Sequence, residues 1–158
     1  MSNTKIRTPK ATQLLKEDHK KVKEIFGEYE DLGNRAHAEK MHLFMELKRE
    51  LTIHAQIEEE VFYPAIREID EEEAQDIVAE ADEEHAIVTQ LLEELSSLTP
   101  REEQFDAKMK VLQEHVLHHA QEEEKEMFPF FEELEADERE SVSERLRQRK
   151  LDLAGEYE

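Results

Sequence analysis

The chain has no cysteine and no tryptophan, and its 158 residues include only 3 glycines and 4 prolines. Without cysteine, disulfides, zinc–thiolate sites, iron–sulfur clusters and thiol catalysis are excluded. So few turn-forming residues, together with 40% charged residues, favour long helices over a sheet. No apolar run approaches the roughly 18 residues of a bilayer-spanning helix. Met1 to Lys10 is polar and carries no apolar stretch of the kind found in a secretory signal. A soluble, cytoplasmic protein is expected. Hydrophobic residues make up 37% and aromatics 6%, enough for a bundle core. A chain of this length forms one domain that buries roughly 70% of its unfolded surface, and no composition break marks a second one.

Basic residues are also scarce. There are 21 against 42 acidic ones, for a formal net charge of −21. A field of that sign repels phosphate backbones and anionic lipid, so neither nucleic acid nor a membrane is an expected partner.

What the chain does have is helical periodicity. Thr8-Pro9 reads as the start of a first helix, with Leu15, His19, Val22 and Phe26 on one face and Gly33-Asn34 as the stop. A second helix over roughly 37–68 carries Phe44, Leu47, Leu51, His54, Glu58 and Val61 along one seam. Pro64 lacks an N–H and crowds the preceding turn, which predicts that this helix kinks or narrows near its end. A third, about 71–98, aligns Val78, Ala81, His85, Val88, Leu92 and Leu95. Thr99-Pro100-Arg101-Glu102 reads as a capping box opening a fourth helix that runs to about 132. A short amphipathic segment around 137–153, with Val142, Leu146 and Leu153 on one side, is expected to cap the bundle or to dock a partner. Short connections imply an antiparallel up-down-up-down four-helix bundle with a short C-terminal fifth helix.

The seams contain a duplication. His54-Ala-Gln-Ile-Glu58 and His119-Ala-Gln-Glu-Glu123 are each followed by a proline ten residues after the histidine, at Pro64 and Pro129. A lone histidine precedes each pair, His19 by 35 residues and His85 by 34. At about 100° per residue, His54 and Glu58 share a face, as do His119 and Glu123. His118 leaves that face, and Glu59 and Glu124 point outward or sideways. His115 lies on the inward side of the fourth helix. His37 and His42 read as surface residues.

One H-x-x-x-E pair is commonly a surface ion pair, and one seam histidine is commonly a hydrogen-bonded core residue. Four helices, each with a seam histidine, and two with a glutamate four residues on, form a different pattern. A carboxylate on an apolar seam costs several kcal/mol to desolvate unless it is paired or bound. Two such carboxylates at one level also repel each other. A divalent cation, or a pair bridged by both carboxylates, resolves both penalties, with neutral imidazoles completing the coordination. Imidazolium–carboxylate pairs crossing the core without metal are the alternative. Histidine and carboxylate without thiolate suit iron, manganese or zinc, and two potential bridges favour a dinuclear site.

These residues resemble the hemerythrin-like (HHE cation-binding) domain: H…H-x-x-x-E…H…H-x-x-x-E on four helices, with E-E-x-x-(F/Y)-P after each pair, over about residues 10–133. The resemblance implies an antiparallel four-helix bundle holding two iron ions with an oxo or hydroxo bridge. It places His19, His54, Glu58, His85, His119 and Glu123 at ligand positions, with Glu58 and Glu123 bridging. Oxygen-carrying hemerythrins have a second histidine one turn along the third helix, where this chain has Thr89 or Ala81. They also end the last motif with an aspartate at five-residue spacing, where this chain has Glu123 at four. His115 supplies a fifth imidazole or stands behind the ligands, and both readings remain open. The departures point away from simple reversible oxygen carriage.

None of the inward histidines follows a glutamate by three residues, which argues against a ferritin-type oxygenase. The expected function is a non-heme di-iron protein that binds or reacts with dioxygen, peroxide or nitric oxide. Peroxide consumption would make it an enzyme. The alternative is an iron- or oxygen-sensing module without turnover.

Overall fold

The computed structural model describes residues 9–157, which form helices and no strand. Helix α1 (Ala11–Glu30) pairs with α2 (His37–Ile57). A π-helical turn, Glu58–Phe62, continues α2 without a break into α3 (Tyr63–Arg67). Helix α4 (Glu72–Ser96) pairs with α5 (Glu103–Glu122). That helix continues through a second π turn, Glu123–Met127, into α6 (Phe128–Glu132). Helix α7 (Ala136–Glu156) packs on α1, α2 and the first π turn. No described helix is long and apolar enough to cross a membrane.

The proline positions explain the π turns. Pro64 cannot donate to the carbonyl of Glu60, and its ring would crowd it in a regular helix. The chain widens instead, and the Tyr63 N–H reaches back five residues to the Glu58 carbonyl. Phe128 does the same to Glu123, one residue before Pro129. The expected kink or narrowing at Pro64 is therefore a widened turn, present in both copies.

Other ends differ from the sequence expectations. Thr8 lies outside the described residues, and α1 opens at Ala11, whose N–H donates to Ser143 Oγ of α7 at 2.8 Å. An orphan donor of the first turn is thus satisfied by another helix rather than by a local cap. Helix α1 stops at Glu30, before Gly33, and no described residue has a positive φ. The Thr99–Glu102 box is half formed. Glu102 accepts the Thr99 N–H at 2.6 Å, but the segment is a turn and α5 begins after it.

Helix α7 has 21 residues, so it is not a short cap. Its Val142, Leu146 and Leu153 are buried with Leu15, Ile57, Phe62, Ile66 and Phe131 in one apolar cluster. Its apolar stripe is filled by its own chain. A second cluster at the other end of the bundle contains Val22, Phe26, Phe44, Leu47, Leu95, Phe105 and Leu112. Each seam crosses from one cluster to the other, and the four seam histidines sit at the crossing. His19 lies between Leu15 and Val22, and His54 between Leu51 and Ile57. Two dry cores therefore clamp a polar layer, and the side chains in that layer must satisfy one another or a guest.

Candidate metal centre

In the polar layer His54, Glu58, His85 and Glu123 are buried, and His19 and His119 are nearly so. His19 Nε2 stands 3.2 Å from Glu123 Oε1, and His119 Nε2 stands 3.1 Å from Glu123 Oε2. His54 Nε2 and His85 Nε2 each stand 3.2 Å from Glu58 Oε1. Each glutamate thus touches one histidine from either hairpin. The donors fall into two adjacent groups, His19–His54–Glu58–Glu123 and Glu58–His85–His119, with the atoms of each group within 4.8 Å of one another. All six residues read from the sequence motif converge. His115 does not: it is exposed, one turn before His119, and outside both groups. Helix α5 turns that ring toward solvent.

The opposite nitrogens of three of the four rings are held by further carboxylates. His54 Nδ1 bonds Asp18 Oδ2 at 2.8 Å, and His119 Nδ1 bonds Glu84. His19 Nδ1 bonds Glu124 Oε2 at 2.8 Å, while His85 Nδ1 lies 3.8 Å from Glu59 Oε1. The acid before each lone histidine serves the paired histidine of its own hairpin. Glu124, five residues after His119, serves His19 of the other hairpin, whereas Glu59, five after His54, stands near His85 without bonding it. With Nδ1–H donated outward by His19, His54 and His119, their Nε2 lone pairs face the centre, which is the tautomer a metal ligand needs.

The residues fit a cation. His19 Nε2, His54 Nε2, both oxygens of Glu58 and Glu123 Oε1 are buried without a hydrogen-bond partner among the described residues. Such atoms cost free energy unless bound, and they aim at a common space. With no cation present, protons neutralise the layer. Burial alone disfavours the charged ring of His119, but Glu123 and Glu84 outweigh it and hold the pKa up at about 10. Glu58 and Glu59 overcome burial in the same way at His85, giving about 9. At His54, Glu58 and Asp18 reverse the effect of burial and raise the pKa well above the usual imidazole range. Burial pushes the Glu123 carboxyl up, yet its contacts with Glu58, His119 and His19 hold it well below the usual carboxylate range. A divalent cation entering this layer displaces protons, so uptake and proton release are coupled.

Tyr63 was not expected in the site. Its hydroxyl donates to Glu123 Oε2 at 2.7 Å and lies 3.0 Å from His85 Nε2 and 3.2 Å from His119 Nε2. The group with fewer protein donors is therefore the one that has the phenol, and Tyr63 is a candidate ligand there. Burial and the charges of Glu58 and Glu123 push its pKa well above the usual phenol value, so without a cation it is a phenol. The residue at the same place in the second copy is Phe128, whose ring stacks on His19 with centroids 6.1 Å apart. Asp18, Glu84 and Glu124 were also missed. Their signal was present, since an acid directly before each lone histidine is duplicated like the motif itself. His118 is exposed and pairs with Glu122 at 3.0 Å. His42 is exposed and His37 half-buried at the start of α2, outside both groups.

Comparison with known proteins agrees with this geometry. The hemerythrin HHE cation-binding domain model matches residues 10–131, which is most of the chain and includes every donor above. The chain belongs to that family. A crystal structure of a hemerythrin HHE cation-binding domain-containing protein from Mycobacterium kansasii superposes with a TM-score of 0.80 at 27% identity, over 94% of this chain and 89% of that one. A DNA nickase of Nostoc sp. (strain PCC 7120) is 28% identical over 116 residues, 73% of this chain and 31% of that protein. The chain thus spans about a third of that curated relative's length.

Proposed function

We infer that the chain holds a non-heme di-iron centre that binds or reacts with dioxygen, peroxide or nitric oxide. The observation that carries this reading is the convergence of four histidines, three of them tethered outward, on two glutamates that each touch a histidine of either hairpin. Histidine and carboxylate donors suit iron, with manganese or zinc as competitors. Bound iron would supply the redox chemistry for a small oxidant.

The rest of the work falls to the chain's own residues. Asp18, Glu84 and Glu124 fix ring orientation and tautomer through Nδ1. Glu58 and Glu123 link the two positions. Tyr63 keeps a proton on its oxygen, aimed at Glu123 Oε2, where it can be passed to a ligand at the His85–His119 position. Val22, Leu51, Val88 and Val116, each three residues from a ligand histidine, form an apolar layer over the imidazoles. Consumption of peroxide is the enzymatic form of this reading.

Nucleic acid is not a proposed partner. The nickase name belongs to a protein more than twice as long, and a net charge of −21 opposes phosphate. A second reading, an iron or oxygen sensor, has one specific support: Lys150 of α7 bonds Asp18, which bonds His54, so occupancy is wired to the fifth helix.

The test is anaerobic reconstitution with ferrous iron, metal counted per chain, then visible spectra on adding oxygen, peroxide and nitric oxide. Two irons per chain and a spectral response support the proposal. Stoichiometric zinc with no response to any of the three would overturn it.

A further inference from the structure

A cavity of about 500 Å³ lies between the imidazole side of the polar layer and the second apolar cluster. Its floor contains His19, His54, His85 and His119, and its walls are largely aliphatic, including Val22, Leu51, Val88, Leu92, Val116 and Leu117. Its rim carries Lys48, Thr89 and Glu93, with Thr89 and Glu93 exposed, so it communicates with solvent between α2 and α4. A water molecule takes up about 30 Å³ in the liquid, and a diatomic or hydrogen peroxide is of similar size. The space is therefore more than ten times what those ligands need. Pockets for organic ligands run roughly 300–1,000 Å³, with apolar walls and a few convergent polar groups. This cavity has that character, and its convergent polar groups are the donors of the metal centre itself.

Resting on the di-metal reading above, we propose that the cavity binds a small amphiphile: an aliphatic or aromatic body seated among the valines and leucines, with one oxygen-donor head, a hydroperoxide or a carboxylate, placed against the centre. The head goes to the floor because the four imidazoles converge there, although Thr52, Gln56 and Thr89 also line the cavity. Lys48 at the rim is already engaged, donating to Ser96 Oγ at 2.8 Å. Thr89 has room beside it, and a larger side chain there would project into the opening.

The test titrates zinc-loaded and metal-free protein with straight-chain carboxylates from acetate to octanoate, followed by the methyl resonances of Val22, Val88 and Val116. Each methylene buried in an apolar site strengthens binding by about fourfold. Affinity should rise by about that factor per carbon in both forms, with an added constant gain from zinc. Val116→Phe should flatten the series, and Thr89→Trp provides the same block from the rim should the first variant fold poorly. Affinity independent of chain length in both forms overturns the proposal and leaves the metal centre standing. A chain-length series with no gain from zinc keeps the cavity but removes the centre from it, and so overturns the assignment of the head. On iron-loaded protein, loss of cumene hydroperoxide faster than hydrogen peroxide assigns the head as peroxide. Tight octanoate without that preference assigns it as carboxylate.

Discussion

Residues 11–67 and 72–132 place their donors by the same rule: an acid, a lone histidine, a paired histidine and glutamate one turn apart, and a π turn before a proline. Their surroundings differ. The first hairpin contributes Tyr63 to the layer, whereas the second has Phe128 in its place. Asp18 is buried and tied to Lys150 of α7, while its counterpart Glu84 is partly exposed and has Glu122 and His118 near it. His19 bonds Glu124 at 2.8 Å, but the matching His85–Glu59 contact is 3.8 Å. Were the proposed pair of cations bound, these unlike neighbours would give them positions of unlike affinity and polarity. The His19–His54 side is braced by α7 through Asp18. The His85–His119 side has the Tyr63 hydroxyl beside it and would be the better place for an exogenous ligand.

The comparison can be broken most completely at what the hairpins share. Glu58→Ala removes a donor from both groups and should leave well under one metal per chain, measured by elemental analysis. His85→Ala should leave the His19–His54 position occupied, so the two variants together separate shared from private donors.

Next in size is the response of the metal-free protein to pH. His85 and His119 are raised to about 9 and about 10, above the unfolded value near 6.5. Their stabilisation is complete below pH 6.5 and is lost as pH rises through 9 to 10, a change on the order of several kcal/mol for buried rings. Thermal melts of metal-free protein should fall across that window. Metal-loaded protein, whose rings are held by cations instead of protons, should stay flat there.

Asp18→Asn and Glu84→Gln test whether the hairpins act separately. Loss of a carboxylate behind a ligating imidazole typically costs about 10–100-fold in metal affinity. Two-site titrations should show the loss at the His19–His54 position for Asp18→Asn, and at the His85–His119 position for Glu84→Gln. Equal weakening of both positions in each variant would show that the centre acts as one unit. Tyr63→Phe makes the first copy resemble the second. It should shift the visible spectrum of iron-loaded protein and slow any proton-dependent reaction, while leaving metal content at two per chain. The smallest effect belongs to Lys150→Met, which removes a half-exposed ion pair from Asp18. A few-fold loss confined to the His19–His54 position is expected by the same titration.

The six motif donors were legible because they stand on regular helix, where four residues bring a histidine and a glutamate to one face. Tyr63 was hidden for the converse reason. Nine residues of regular helix place it about 180° from His54, on the far side, and only the π turn brings its hydroxyl back to the layer. His115 failed in the opposite sense. Regular winding placed it near the seam, but its position on α5 is exposed. The acids before His19 and His85 could have been found by treating the repeat as longer than the four-residue motif. The bracing by α7 could not, because nothing local in Lys150 or Ser143 indicates which helix it will meet.

The widened turns also set a rule of length. Each stores one residue more than ordinary winding accommodates, beginning at the glutamate of the pair. Deleting one residue from Glu59–Phe62 would let the segment wind as ordinary helix with the downstream faces kept, but would press the proline ring against the carbonyl four residues before it. Adding one instead would turn Tyr63 and Ile66 by about 100°, taking the phenol out of the layer and Ile66 out of the dry core with no donor altered. Exchange at constant length is easiest at exposed Glu60, since Glu58, Val61 and Phe62 are buried. In this protein the spacing between glutamate and proline works as a ruler, and the chemistry depends on its count.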